Sequence, residues 1–470
     1  MADRWDVLIV GAGMAGLPTA IRAAERGART LVVEAGPVIG GKLPRSAGQI
    51  SAAGARLQRR RGIDDSAEDH FREIMAINGG TGDPLLIRLS VEEAGATIDW
   101  LEDIGCTFGP EMPVITYTHD LYRTRRYFWP VRQGPEILEA FQRRVAALTA
   151  SGGLTIRTHC EMTAFLGDTR RVTGITVRGA QGEERLSATN VVLAAGGYNA
   201  DATLAAALTP QVPFYSPPMP ISSGKVLRLA RDFGCRLDGG AEYLCVGMGV
   251  LDDPDDRNSV RMGLKLVPQQ RPPWEIWVNS HGRRFTREDH PKANHRRRAI
   301  MAQPDLEFFI VFDEGVRQNA PNITAHLADE ALRDAFGRHP SYHRAADVAG
   351  LARAIGVDAS ALGEAIAGYN DAVDRGAGDP FGRDSLPRPL TKPPYYAISA
   401  VGCGLPSPAG IAIDSSLRAL ANDGRPIPGL YAAGEIFGYT RVMGAAYEAG
   451  MGNGPAITLA RVLGERILRW

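Results

Sequence analysis

The N-terminal segment passes from a short apolar run through a glycine-rich turn into a helical pattern. Asp6–Val10 is apolar and ends in glycines, Met14–Arg26 has the pattern of a helix, and Ala28–Glu34 is a second strand-like run. A strand, a glycine turn, a helix and a strand within about 30 residues predict a βαβ unit, which requires a parallel sheet.

Two later segments repeat the step from an apolar strand into glycines. They are NVVLAAGGYNAD at residues 190–201 and GLYAAGEIFG at Gly429–Gly438. Three such turns, far apart in the chain, predict one nucleotide-binding domain that is built from several segments, with another part inserted between them.

The inserted part is predicted to run from Asp238 to Pro393. It holds two strand-like runs, WEIWVNSHGRRF and LEFFIVFDEG, and helical stretches such as Leu351–Asn370. Its exit is rich in glycine and proline, which indicates a boundary. We therefore expect an α/β fold with a Rossmann-type domain, residues 1–237 and 394–470, interrupted by a smaller α+β capping domain, residues 238–393.

The first glycine turn has the GxGxxG spacing of a dinucleotide fingerprint. Gly11 permits the tight turn, Gly13 lets the backbone approach a pyrophosphate, and Gly16 lets the helix and strand pack closely. Amides at the helix N-terminus point at the phosphates, and Glu34, at the end of the next strand, is placed to bind the adenosine ribose. The alternative is a glycine-rich turn in an unrelated α/β protein.

Length, charge and cysteine content set limits on these expectations. At 470 residues two domains are expected, and 53 basic residues balance 53 acidic ones, so no nucleic-acid or anionic membrane partner is indicated. The five cysteines form no CxxC or CxxCH, which argues against zinc, dithiol and covalent haem sites. No signal-peptide pattern or long apolar span is present, so we predict a cytoplasmic protein without membrane insertion.

The segment after Glu34, GPVIGGKLPRSAGQISAAG, supplies small residues where an extended dinucleotide would continue. With the fingerprint, VVLAAGGYNAD, VNSHGRRF and GLYAAGEIFG…MGAAYEAGMGNGPA, it resembles the flavoproteins of the fumarate reductase and succinate dehydrogenase superfamily. These include 3-ketosteroid and tricarballylate dehydrogenases, and the resemblance covers essentially the whole chain. It implies that the first domain binds FAD, and that a hydride moves to or from a carbon–carbon bond.

The resemblance and the fingerprint together give a predicted set of FAD-binding residues. By the resemblance, Gly452, Asn453 and Gly454 are expected at a helix N-terminus that is aimed at the flavin N1 and C2 carbonyl, where the reduced flavin carries negative charge. Glu435 is expected at the ribityl or ribose region. The set comprises Gly11, Gly13, Ala15, Gly16, Glu34, Ala35, Gly41, Lys42, Ser46, Gly48, Gln49, Ala195, Gly196, Gly197, Gly434, Glu435, Gly452, Asn453 and Gly454.

Relatives that bind FAD covalently carry a histidine in the segment after Glu34. This chain has no histidine between Glu34 and Gly54, so non-covalent FAD is expected. By the resemblance, Ser222–Lys225 occupies the place of the family's TGDG turn, and the aspartate of that turn is absent here.

Two positions depart from the pattern of fumarate reductases. Their proton-carrying arginine corresponds to Lys292, and the segment Gly404–Pro408 lacks their substrate-clamping histidine. These departures argue against simple fumarate or succinate chemistry.

Tyr447 corresponds to the tyrosine that 3-ketosteroid dehydrogenases carry in their MGxSYAGPG stretch. There it hydrogen-bonds a carbonyl oxygen, and a phenol suits that task because it is a neutral donor at pH 7. We predict Tyr447 as the electrophilic group; the alternative is a tyrosine that only packs beside the flavin.

The segment Thr116–Trp129 is expected to supply the base. Its candidates are Tyr117, Tyr122 and His119, with Tyr127 also present. Arginines there either lower the pKa of a tyrosine or bind a substrate carboxylate, or they form an exposed basic loop. The predicted substrate-binding residues are Arg123 and Arg126, with Arg441 near Tyr447.

The arginine runs Arg59–Arg61 and Arg296–Arg298 are interpreted as solvated faces. The leading hypothesis is an FAD-dependent oxidoreductase that dehydrogenates a CH–CH bond next to a carbonyl or carboxylate, or reduces the double bond. One alternative is a fumarate-reductase-like enzyme with Lys292, or a nearby group, as proton donor. Another is a flavoprotein subunit that passes electrons to a partner. A small-molecule substrate and an unidentified electron donor or acceptor are the expected partners.

Overall fold

The computed structural model describes residues 4–209, 216–217, 220–241, 244–404 and 406–469. The strands are β1 (Trp5–Val10), β2 (Thr30–Val33), β3 (Ile50–Ser51), β4 (Tyr127–Phe128), β5 (Leu154–Arg157), β6 (Glu161–Asp168), β7 (Arg171–Gly179), β8 (Gly182–Leu193), β9 (Leu237–Asp238), β10 (Gly247–Leu251), β11 (Val260–Met262), β12 (Ile276–Val278), β13 (Glu307–Asp313), β14 (Tyr342–Ala345), β15 (Tyr395–Cys403), β16 (Gly410–Ile411), β17 (Arg418–Leu420) and β18 (Pro426–Ala432).

Helices account for most of the connections between these strands. They are α1 (Gly16–Glu25), α2 (Arg56–Arg60), α3 (Ala67–Asn78), α4 (Pro84–Asp103), α5 (Gln133–Ala150), α6 (Ala202–Leu208), α7 (Lys225–Phe233), α8 (Ala293–Met301), α9 (Glu314–Asn319), α10 (Asp329–Ala335), α11 (Val348–Ile355), α12 (Ala359–Arg375), α13 (Thr440–Met443) and α14 (Asn453–Arg466), with 3₁₀ turns at Leu43–Arg45, Pro304–Leu306 and Gly434–Phe437.

The first sheet has the order β17-β18-β8-β1-β2-β5, with β6 and β7 added through β8. Strands β18, β8, β1, β2 and β5 are parallel, as the predicted βαβ unit requires. All of Val7–Ile9 is inaccessible to solvent, so β1 lies at the centre of the core. Helix α1 packs on α14, where the Thr19 hydroxyl donates to the Ala460 carbonyl across 3.0 Å.

The second sheet is antiparallel and lies in the inserted part. Its order is β11-β10-β15-β13-β12, with β14 on β15. The predicted runs WEIWVN and LEFFIVFDEG form β12 and β13. The predicted helical stretch Leu351–Asn370 is two helices, because α11 ends at Gly356 in a left-handed cap.

The α/β class with a Rossmann-type sheet and a smaller α+β part is confirmed. Strand β15 extends to Cys403 within the second sheet, beyond the predicted boundary at Pro393. We therefore propose 238–403 for the capping part, and the domain limits stay a proposal. In the described part of the chain, no helix is long and apolar enough to cross a membrane.

Candidate active site

The glycine turns meet at one edge of the first sheet because the parallel strands end in register. Val10 pairs with Val33 and with Leu193, and Leu193 pairs with Ala432. The turns that follow these residues carry the fingerprint, Glu34, Ala195–Gly197 and Gly434–Glu435. The carboxyl edge of a parallel sheet is where open α/β folds bind their ligands.

The fingerprint turn forms a small cradle. Gly11 has a φ of +103°, and a Cβ there would lie 2.6 Å from the Ala194 carbonyl oxygen, so only glycine is accommodated. Gly13 faces Gly41, and a Cβ added at Gly41 would lie 3.0 Å from the Gly13 Cα, so the two turns approach closely here. Helix α1 has no capping side chain and no acidic residue in its first turn, so its N-terminal amides remain available to an anion.

Glu34 is held at the end of β2 by two backbone donors. Its carboxylate accepts hydrogen bonds from the amides of Ala12, at 2.8 Å, and Gly36, at 2.7 Å. It is only half-buried. This position, beside the fingerprint turn and open to solvent, fits an adenosine ribose.

A second group of predicted cofactor residues lies further along this edge. Lys42 Nζ lies 2.6 Å from the Glu435 carboxylate, which also accepts from the amide of Ser407 at 2.9 Å. Asn453 donates from Nδ2 to the Ser46 hydroxyl at 3.0 Å. Helix α14 begins at Asn453 without a capping side chain or an acidic first turn, so its N-terminus suits the negative charge of a reduced flavin.

The remaining cofactor positions follow the same edge. Gly48 donates to the Ser46 hydroxyl at 3.0 Å, Ala35 and Gln49 flank these turns, and Ala195 and Gly196 are half-buried. These small, partly exposed residues lie along one edge of the sheet, which we call the groove. The residues present therefore fit FAD from the adenosine end at Glu34 to the flavin end at Gly452.

Tyr447 lies at the flavin end of this groove. A Cβ added at Gly452 would lie 3.0 Å from the Tyr447 hydroxyl, so that hydroxyl points at the start of α14. The ring centroid lies 4.7 Å from that of His119. Burial raises the pKa of Tyr447 to about 12, and the nearby Arg297 partly opposes this effect. The phenol therefore remains a protonated donor at neutral pH.

Arg297, on helix α8 of the inserted part, contacts both His119 and Tyr447. It is 4% exposed and donates to Asn294 Oδ1 at 2.9 Å, to the Thr118 carbonyl at 3.2 Å and to His119 Nδ1 at 3.0 Å. Its guanidinium carbon lies 5.6 Å from the Tyr447 ring centroid. Within the described chain it makes no ion pair with a carboxylate. Burial lowers its pKa.

Three comparisons with known proteins bear on this geometry. The sequence model of a family described as FAD binding domain matches residues 6–453. The chain belongs to this FAD-binding family.

The relatives within and around this family are oxidoreductases. The chain is 28% identical over 484 residues to "Fumarate reductase (cytochrome)" of Shewanella frigidimarina, covering 100% of this chain and 78% of the relative. It is 25% identical over 549 residues to "4-oxocyclohexanecarboxylate 2-dehydrogenase" of Sinomonas cyclohexanicum, covering 98% and 92%. Its fold matches 3-ketosteroid delta1-dehydrogenase from Sterolibacterium denitrificans with a TM-score of 0.80, at 20% identity and 99% coverage of both chains.

These findings confirm the predicted superfamily, its FAD cofactor and an FAD-dependent oxidoreductase that acts on CH–CH bonds. The roles of individual site residues stay predictions, and the structure shows where each residue lies.

Of the predicted bases, His119 is the one that contacts Tyr447. The Tyr122 hydroxyl is buried and donates to the Ala449 carbonyl at 3.0 Å. Burial raises the pKa of Tyr122, so the phenolate form that would act as a base is disfavoured. Tyr117 is 45% exposed. Tyr127 is buried in β4. Lys292 is exposed where α8 begins, and its role as proton donor stays a prediction.

Two predicted substrate-binding arginines are already engaged. Arg126 is inaccessible to solvent and pairs with Asp65 at 2.7 Å and Glu73 at 3.1 Å. Arg441 pairs with Asp83 at 2.5 Å and Asp238 at 2.9 Å. Both guanidinium groups serve the fold, which argues against substrate binding. Arg123 is exposed on the loop.

The interpretation of Arg296–Arg298 as a solvated face is wrong for two of its members. Arg296 and Arg297 are buried, and only Arg298 is exposed. The available signal was helical spacing, since Ala293, Arg297 and Ile300 follow the i, i+4, i+7 pattern of one helix face. Asn294, which contacts Arg297, and Glu448, which follows Tyr447, were not among the residues predicted from the sequence. Leu405, in the segment that lacks the clamping histidine, lies outside the described residues.

Proposed function

We propose that the chain exchanges a hydride and a proton across a carbon–carbon bond next to a carboxylate or carbonyl, in the direction of reduction or of dehydrogenation. The observation that carries this proposal is Arg297, a buried guanidinium that contacts both His119 and Tyr447 and that forms no ion pair with a carboxylate among the described residues. A buried charge is costly unless it is paired, so Arg297 is suited to bind an acidic substrate group.

Tyr447 supplies the neutral donor. When a hydride joins or leaves the carbon β to a carbonyl group, negative charge develops on the carbonyl oxygen. A hydroxyl held in a water-poor site stabilises that charge strongly. With a pKa of about 12, Tyr447 keeps its proton throughout the neutral range.

His119 is suited to exchange the proton at the neighbouring carbon. Burial and the charge of Arg297 lower its pKa, so the ring is neutral at pH 7. A guanidinium only donates, so Nδ1 accepts from Arg297 and the ring proton lies on Nε2. Nε2–H can therefore give its proton to the neighbouring carbon as Nδ1 takes one from Arg297, and the reverse transfer, in the direction of dehydrogenation, restores both groups.

FAD, when bound, supplies the hydride acceptor and donor at its N5 atom. The chain's part is to hold the cofactor along Gly11–Gly16, Glu34 and the N-terminus of α14. We propose non-covalent binding, since no histidine lies between Glu34 and Gly54. We also propose a cytoplasmic location, which the five unpaired, buried cysteines support.

The test is anaerobic reoxidation of the reduced holoenzyme by fumarate, acrylate and cinnamate, with the methyl ester of each acid and 2-cyclohexenone as comparisons. We expect one or more acids to reoxidise the flavin at least about tenfold faster than the matching ester, as the loss of a charge-assisted hydrogen bond predicts. Esters that react as fast as acids would contradict the role of Arg297. Failure of every compound, together with no flavin bleaching by the saturated counterparts, would reject the proposed function.

A further inference from the structure

Glu448 follows Tyr447 and is fully buried. Its side chain is 0% exposed, and neither carboxyl oxygen has a hydrogen bond of normal length within the described residues. A buried polar group without partners is destabilising, and an ionised one is more so. A side chain that is held at this cost is a candidate for function.

Four titratable or charged groups from three directions surround this carboxyl. Asp120 pairs with the backbone of Glu448 in a short parallel bridge, and Tyr122 and Tyr447 are close enough for the Glu448 charge to affect their pKa values. Arg297 faces it from helix α8. The amide of Asn78, at the end of α3, is the neutral neighbour.

The Asn294 side chain ties Arg297 to this segment. Its Oδ1 accepts from Arg297 at 2.9 Å and from the Tyr447 amide at 3.3 Å. The backbone amide of Asn294 donates to Asp120 Oδ1 at 2.9 Å. Asn294 therefore holds Arg297 beside the backbone that precedes Glu448, and Arg297 and Glu448 form no ion pair with each other.

The absence of an ion pair between Arg297 and Glu448 agrees with a protonated carboxyl. Burial, assisted by the charge of Asp120, raises the pKa of Glu448 well above its ordinary value, and Asn78 and Arg297 only partly oppose this. In its acid form Glu448 is neutral and does not compete for the guanidinium. In its ionised form it would be a second anion near Arg297, in addition to Asp120.

We propose that Glu448, in its neutral acid form, keeps Arg297 available to an acidic substrate, and that it competes with this substrate for Arg297 once it ionises. The inference rests on the proposed function, because it assumes that Arg297 binds the substrate's acid group. Glu448 is then a positioning residue that sets specificity for acids as a function of pH. On ionisation the carboxyl group releases its proton to solvent, and the resulting carboxylate pairs with the guanidinium of Arg297.

The experiment is equilibrium binding of fumarate, acrylate and cinnamate to the oxidised holoenzyme, followed by the change in flavin absorbance across pH. Oxidised flavin cannot reduce these acids, so binding is measured without turnover. In the wild type we expect the Kd to rise with pH by up to tenfold per unit once Glu448 ionises. In Glu448→Gln the Kd should stay at its low-pH value across the same range. Glu139→Gln, the same change at an exposed carboxylate on α5, should behave as the wild type.

A second measurement keeps the inference testable if Glu448→Gln does not retain FAD. The infrared carbonyl band of a protonated glutamate, identified by isotope labelling of glutamate carboxyl groups, should be present in the wild-type protein at neutral pH. It should disappear at the pH where acid binding weakens. A pH dependence that is unchanged in Glu448→Gln, or an absent band, overturns the role of Glu448 alone. If no acid binds the wild type at any pH, both this inference and the role of Arg297 are wrong.

Discussion

Nη2 of Arg297 lies 3.0 Å from Nδ1 of His119, and this contact joins the inserted part to the loop that covers the flavin end of the groove. In the described part of the chain, neither side chain forms an ion pair with a carboxylate. The pair therefore presents a positive charge and a neutral imidazole to the same small space, beside the Tyr447 ring.

Replacing Arg297 by methionine should weaken the binding of acidic compounds by about 10- to 100-fold, because a charge-assisted hydrogen bond is lost. The binding of the matching esters should change little. The measurement is titration of the oxidised holoenzyme with each acid and ester. Arg61→Met, which removes an exposed guanidinium on the surface, is the matched control. Equal losses for acids and esters would indicate a packing role instead.

The sheet edge and the cofactor groove were predictable from the sequence because their determinants are local. Gly11, Gly13 and Glu34 stand at fixed offsets along one βαβ unit, and a parallel sheet brings the later glycine turns to the same edge. The resemblance then extended this set to the C-terminal segment.

The catalytic cluster was predicted only in part because it depends on which groups are already paired. Arg126 and Arg441 look like Arg297 in the sequence, but their carboxylate partners are brought from distant segments. The basic residues on either side of Arg297 predict a solvated face, although its position on the helix is buried. The protonation of Glu448 depends on burial, which no local pattern encodes.

Arg126→Met should destabilise the fold by about 3–5 kcal/mol, since it leaves the fully buried Asp65 without its partner. The double variant with Asp65→Asn should recover part of this loss. The measurement is the change in free energy of unfolding from denaturant titration. Arg125→Met, at the exposed neighbouring position, should lie within about 0.5 kcal/mol of the wild type. A small effect of Arg126→Met would return this arginine to the list of substrate ligands.

Acid should release all of the flavin from the protein. Since no histidine lies between Glu34 and Gly54, precipitation with trichloroacetic acid should leave the yellow colour in the supernatant. Glu34→Ala should weaken FAD binding, because the carboxylate that fixes the fingerprint turn and faces the ribose is lost. Flavin that stays with the pellet would show a covalent bond and would contradict the proposed mode of binding.

His70 should make the fold sensitive to mild acid. The ring is fully buried, its Nε2 lies 3.2 Å from the Ser51 hydroxyl, and Nδ1 has no partner among the described residues. Burial, followed by the charge of Arg126, depresses its pKa well below 6.5. The neutral, buried ring therefore contributes its full stability above pH 6.5, the pKa of histidine in the unfolded chain. This contribution is lost as the pH falls from 6.5 towards the lower pKa of the folded state.

The free energy of unfolding should therefore fall below pH 6.5 with a slope of up to about 1.4 kcal/mol per pH unit from this residue. His70→Gln should be less stable at pH 8 but should show a shallower slope between pH 6.5 and 5. Denaturant titrations at each pH measure both quantities. An unchanged slope would assign the acid sensitivity to other groups, such as His119.

Tyr447→Phe separates a catalytic tyrosine from a packing one. The phenyl ring keeps the contacts with His119 and Arg297, so the variant should fold and retain FAD, and its flavin spectrum should resemble the wild type. The rate of flavin reoxidation by an active compound should fall by about 100- to 1,000-fold, as the loss of one donor to a developing oxyanion predicts.

Because the pKa of Tyr447 is about 12, the wild-type rate should not fall through phenol ionisation between pH 8 and 10. An ordinary tyrosine, with a pKa near 10, would begin to lose its proton in that interval. Tyr117→Phe, on the exposed part of the loop, should react as the wild type. Tyr447→Phe at full rate would leave Tyr447 with only the packing role and would shift the search for the donor to His119.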